Sequence, residues 1–148
     1  MESERRLTHR LVDYWQQIKG DRPFPMVNDI DPDEIADMWE YCYLIQISKS
    51  TDFSREHAYS LTFLGRALQS FRQQGDSAHE AAFLMTLPPD KLDTIYTEML
   101  MTRLPIVENV DDFYTPIGVI KYRQAICPIG TEDGQIRGIF GGMRFKVM

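Results

Sequence analysis

Two alternating apolar segments stand early in the chain, a helical stretch fills its middle, and two long strand-like segments joined by Glu132-Asp133-Gly134 close it. Alternation at a period of two gives each strand one apolar face, and such faces must be buried together. The order therefore predicts an α+β architecture: one curled antiparallel sheet with helices inserted between its early and late strands. A sheet of that shape is built around a small internal cavity, a geometry of sensing more than of chemistry.

The individual elements follow from local signals. Between Glu4 and Lys19, apolar residues recur at Leu7, Leu11, Tyr14, Trp15 and Ile18, which predicts an amphipathic helix ended by Gly20. Its stripe must be buried either on the domain's own sheet or on a second subunit. In Ile30-Asp31-Pro32-Asp33-Glu34-Ile35, Asp31 is placed to cap a short helix, with Pro32 at its first position and Glu34 reaching back as a capping-box partner. Tyr41 to Ser48 and His57 to Leu64 alternate as a hairpin, with Tyr43, Ile45 and Ile47 on the apolar side of the first strand, and Tyr59, Leu61 and Phe63 sharing one side of the second.

From Gly65 to Pro105 the pattern is helical. Leu64, Leu68 and Phe71 suggest a short helix, and Ser77-Ala78-His79-Glu80 a second capping box. A longer helix from Asp90 to Arg103 carries the stripe Leu92, Ile95, Tyr96, Met99, Leu100 and Arg103. Pro105 to Val110 reads as a short edge strand, and Val119 to Ile129 and Gln135 to Lys146 as a long hairpin. Gly138, Gly141 and Gly142 would weaken the last strand unless another group packs close or the sheet bends there.

Composition narrows the function classes. A chain of 148 residues with 43% hydrophobic and 26% charged residues is that of an ordinary globular domain. A net charge of -6 opposes binding to nucleic acid or anionic membrane, which needs a concentrated positive field. Neither a secretory signal nor a membrane-spanning run is visible, so a cytoplasmic protein is expected. Cys42 and Cys127 lie inside apolar strand-like runs without metal or redox spacing, as buried reduced thiols do.

Catalytic and metal motifs are missing from the sequence. His9, His57 and His79 have no second histidine at ligand spacing, and the cluster Asp29, Asp31, Asp33, Glu34 and Asp37 fails the spacing of a calcium loop and is explained by capping. An enzyme on a curved sheet would need an inward acid and base, and Tyr59 and Tyr122 show no obvious carboxylate or histidine partner. No metal or cofactor is expected. What stands out is aromatic and thioether content directed at one interior: Tyr43, Tyr59, Phe63, Tyr96, Met99, Tyr122 and Phe140. These form either a packed core with satisfied hydroxyls or a pocket for an apolar or aromatic ligand between sheet and helices.

The order of hairpin, helices and three strands resembles a PAS domain, in particular a family of short, mostly standalone bacterial PAS-like proteins. The matching pieces are Tyr14-Trp15, the stretch Arg22-Pro23-Phe24-Pro25 before Asp31-Pro32, Tyr59-Ser60-Leu61-Thr62-Phe63-Leu64-Gly65, and Tyr122-Arg123-Gln124-Ala125-Ile126-Cys127-Pro128-Ile129. The resemblance implies a five-stranded antiparallel sheet in which the first two strands lie beside the last three, with helices on one face. It also implies an N-terminal helix, residues 1–20, set outside a PAS-like domain of residues 21–148 and able to dimerise through Leu7, Leu11, Trp15 and Ile18. The photoactive flavin branch carries a cysteine in an Asn-Cys-Arg motif and heme-binding members a helical histidine, and Asp90 to Arg103 offers neither. The function expected is regulatory, through association with itself or a partner signalling protein, or sensory, through a small molecule.

Overall fold

A computed structural model describes residues 2–51, 53–71, 86–115 and 118–148. Three α-helices and five strands are found among them: α1 (Glu2–Lys19), α2 (Ala36–Trp39), β1 (Cys42–Lys49), β2 (His57–Leu64), α3 (Pro89–Thr102), β3 (Ile106–Thr115), β4 (Gly118–Gly130) and β5 (Ile136–Val147). The expected capping box at Ser77 falls outside the described residues.

The five strands form one antiparallel sheet in the order β2-β1-β5-β4-β3. The early hairpin therefore lies beside the late three strands, joined through the β1–β5 pairing. β3 runs five residues beyond its expected end at Val110, continuing past a bulge between Val110 and Phe113.

Register divides the side chains between two faces, because residues opposite one another share a face. Tyr43, Ile45 and Ile47 of β1 fall on the same side as Tyr59 and Leu61 of β2, Ile139, Gly141 and Met143 of β5, Tyr122, Gln124 and Ile126 of β4 and Glu108 of β3. This inner face meets α3, whose Leu92, Ile95 and Met99 are buried. Leu100, expected in that stripe, is instead exposed.

The outer face carries Cys42, Leu44, Ala125, Cys127, Ile129, Phe140 and Gly142, and α1 lies across its β4 and β5 portion. Leu7, Leu11 and Trp15 are 4%, 0% and 0% exposed within the single chain, while Ile18 is half-buried. The Trp15 indole N–H donates to the Pro128 carbonyl at 2.6 Å, and Tyr14 meets the Phe140 ring edge-on with centroids 6.4 Å apart. Of the two seats the sequence left open for this stripe, the chain's own sheet is the one occupied. The expectation that Leu7, Leu11 and Trp15 form a surface between copies is accordingly revised, since a side chain sealed in one subunit's core has no area left to offer another. The α1 stripe belongs to the same hydrophobic core as the strands.

Local chemistry at the helix starts differs in one place from expectation. Asp31 caps the Asp33 amide at 3.0 Å, but Glu34 does not turn back onto the backbone. Its carboxylate accepts from the Tyr14 hydroxyl at 3.0 Å, tying the turn to α1. Asp29 caps Met26 and pairs with Arg22, and Asp37 pairs with Arg10. The acidic cluster is thereby distributed among caps and ion pairs.

Both thiols are buried and unpaired with each other beneath α1. Burial raises the Cys42 thiol from 9.0 to about 12 and lifts Cys127 as well. A folded thiol that stays protonated while its unfolded counterpart ionises stabilises the fold fully below the unfolded value and loses that contribution as pH climbs toward the folded one, at about 1.4 kcal/mol per pH unit for each group. Urea midpoints are thus expected to hold steady up to about pH 8 and to fall above pH 9.0. A Cys42→Ala, Cys127→Ala double variant should fall less steeply, and identical slopes for variant and wild type would contradict the assignment.

Candidate functional site

The inner face beneath α3 gathers five of the seven residues singled out from the sequence. Tyr43, Tyr122 and Met99 are fully buried there, and Tyr59 and Tyr96 are half-buried at its β2 side. Phe63 and Phe140 are not with them. A bulge between Leu44 and Ile45 pairs Phe63 with Leu44 and Leu61 with Ile45, so the one-residue slip turns Phe63 to the outer face. There it stacks on Trp39 with ring centroids 4.4 Å apart. Phe140 pairs with Leu44 and Cys127, which also places it on the outer face, against Tyr14 of α1.

A chain of polar groups runs through the inner face from its rim to its centre. Lys91 of α3 donates to Glu108 Oε1 at 2.7 Å, and Gln124 donates to the same oxygen at 2.6 Å. The other end of the Gln124 amide accepts from the Tyr43 hydroxyl at 2.7 Å. Tyr122 donates to Glu108 at 3.3 Å and stands 3.4 Å from Lys91 Nζ. Lys91 and Glu108 are partly solvated, whereas Gln124 and Tyr43 are wholly enclosed. The network therefore connects a helix at the surface to the middle of the sheet. Each link matters because a buried polar group left unmatched costs about 1–3 kcal/mol.

A second polar cluster clamps the start of α3 to the early hairpin. Arg55 pairs with Asp90 at 2.9 Å and Asp93 at 3.2 Å, and the Tyr59 hydroxyl donates to Asp93. His57 lies against the Tyr96 ring at 4.6 Å between centroids and not against a buried carboxylate. Tyr59 and Tyr122, for which the sequence offered no acidic partner, therefore have one each, in Asp93 and Glu108.

These pairings do not make a catalytic base of either phenol. Burial first, and then the adjacent carboxylate, raises the pKa of Tyr59 and of Tyr122, and burial above all raises that of Tyr43, so all three remain protonated donors. Such groups orient helices and hold a packing arrangement. Gln124 and Glu108 escaped the sequence reading, although a signal existed: each interrupts the apolar side of its strand's alternation with a polar side chain.

No helix of the described residues is long and apolar enough to cross a membrane. A family model described as a PAS domain matches residues 3–58, from α1 to the start of β2. No curated protein matches the chain. PAS domains are in general non-catalytic sensory and regulatory modules. Over residues 3–58 the chain is thus similar to a PAS domain, and its five-stranded antiparallel sheet with accompanying helices is consistent with a PAS-like fold.

Proposed function

We propose that the chain is a non-catalytic signalling module whose output passes through protein–protein association, in its simplest form as a homodimer. The observation that supports this most is the flank of β3 that no other strand pairs among the described residues. This strand closes the sheet on one side, is ten residues long, and leaves backbone donors and acceptors facing outward. Around its start, Met101, Leu104 and Val107 are 81%, 55% and 51% exposed. Asp111 and Asp112, at the bulge, resist pairing with another acidic strand and confine a partner to the Ile106–Val110 end.

Association is tested by light scattering over a range of concentrations, comparing wild type with Val107→Lys. A mass of two chains falling to one in the variant, with unchanged circular dichroism, is expected. Wild type that remains a single chain at the highest concentration would remove the homodimeric form of the proposal. Trp15→Glu is unsuited to this purpose, because it would bury a charge in the core.

A second reading, a sensor for an apolar or aromatic molecule between sheet and α3, draws support from the convergence of Tyr43, Tyr59, Tyr96, Met99 and Tyr122. Native mass spectrometry of freshly purified protein distinguishes it, through a retained molecule.

A further inference from the structure

The outer face is only partly covered by α1, and where that cover ends a cleft of about 330 Å³ opens beside the early hairpin. Its walls are Leu44 and Ile45 of β1, Thr62 of β2, Ile129 of β4 and Val27 of the segment before α2. Gly130 and Gly138 form part of the lining, and Gly138, between Gln46 and Ile129 in the pairing, leaves a gap where any other residue would set a side chain. A Cβ there would stand 2.7 Å from the Ile45 carbonyl, so the gap is fixed by the backbone.

The cleft is held open by its own framework. The Gly130 amide donates to the Pro25 carbonyl at 2.9 Å, which anchors the segment carrying Val27, and Phe24 beside it is buried. Thr62 donates to the Leu44 carbonyl at 3.2 Å across the bulge. A preformed site holds a ligand without first ordering its walls.

Charge supplies the second clue. Arg137 lines the cleft, and its guanidinium donates to the neutral amide of Gln135. Among the described residues, Arg137 makes no ion pair with a carboxylate, although the chain carries a net charge of -6. A guanidinium is a planar fork of donors matched to a carboxylate, and Gln46 at the same cleft offers an amide. The volume falls in the range of small-molecule sites, about 300–1,000 Å³, and is too small for a helix or strand of a partner.

We propose that this cleft binds a small aliphatic carboxylate, with its anionic head on Arg137 and its tail over Gly138 against Leu44 and Ile129. The site is on the opposite side of the sheet from the tyrosines beneath α3, and it does not depend on the association proposed above.

Amide-resolved NMR titration with octanoate, and in parallel with octanol, tests it. Octanoate should give saturable shifts centred on Leu44, Gln46, Gly130 and Gly138, with octanol binding at least about tenfold more weakly, the loss expected when a charged partner is removed. Arg137→Gln changes an exposed side chain, and should bring octanoate down to the affinity of octanol while leaving the unliganded spectrum intact. The proposal is overturned by equal affinities for the two probes, by shifts that do not saturate, or by shifts centred on Tyr43, Tyr122 and Met99. Light scattering on the same samples reads the oligomeric state, so loss of the ligand site and loss of association are told apart.

Discussion

Trp15→Ala is expected to cost about 3–5 kcal/mol of folding stability, the range for deleting a large aromatic side chain from a close-packed core. The indole is fully enclosed between α1 and the sheet, and its N–H satisfies the carbonyl of Pro128. Removal therefore opens a cavity and orphans an acceptor in the same place. Trp15→Phe restores most of the packing without the hydrogen bond and should cost about 1 kcal/mol on that account. Urea denaturation measures both. A cost below about 1 kcal/mol for Trp15→Ala would mean that the helix is seated elsewhere. If that seat were a second subunit, the wild-type midpoint would also rise with protein concentration.

Gly141→Ala should be nearly as severe, for the opposite reason. Tyr43 lies directly across from Gly141, and a methyl group built there would sit 2.7 Å from the ring's Cε1 and closer still to Cζ and the hydroxyl. The ring has nowhere to retreat. It is wholly buried, and its hydroxyl is engaged by Gln124, so displacement breaks the chain that continues to Glu108 and Lys91. We expect a loss of about 3 kcal/mol, combining overpacking with an unmatched buried polar group. In a Tyr43→Leu background the same glycine substitution should cost less than about 1 kcal/mol, because the clash has been removed. An equal cost in both backgrounds would refute the proposed contact.

Both substitutions bear on what the sequence could reveal. The order of elements is legible because alternating strands and capped helices leave local marks, and β2 begins and ends where its alternation does. The seat of α1 is not legible, since an apolar stripe such as Leu7, Leu11 and Trp15 has one appearance whether it covers its own sheet or a neighbour's. The outer position of Phe63 is hidden by a bulge, which no residue between Leu44 and Leu64 announces. Phe140 falls on the side opposite to expectation because β5 is buried on both faces, so polarity does not tell inside from outside along it. The site is legible in part. Aromatic content points to Tyr43, Tyr59 and Tyr122, but their partners Gln124, Asp93 and Glu108 come from other elements, and only the folded register joins them.

The contact between Trp15 and Pro128 spans 113 positions of the chain. During synthesis α1 emerges long before β4 and β5, the strands that receive it, with a greasy side and no place to hide it. Closure of so wide a loop is entropically slow, and exposed apolar surface invites aggregation in the meantime. An element made well before its partner strands is thus among the last to dock, and a ribosome-bound intermediate stalled before β4 should be the form of this protein most in need of a chaperone.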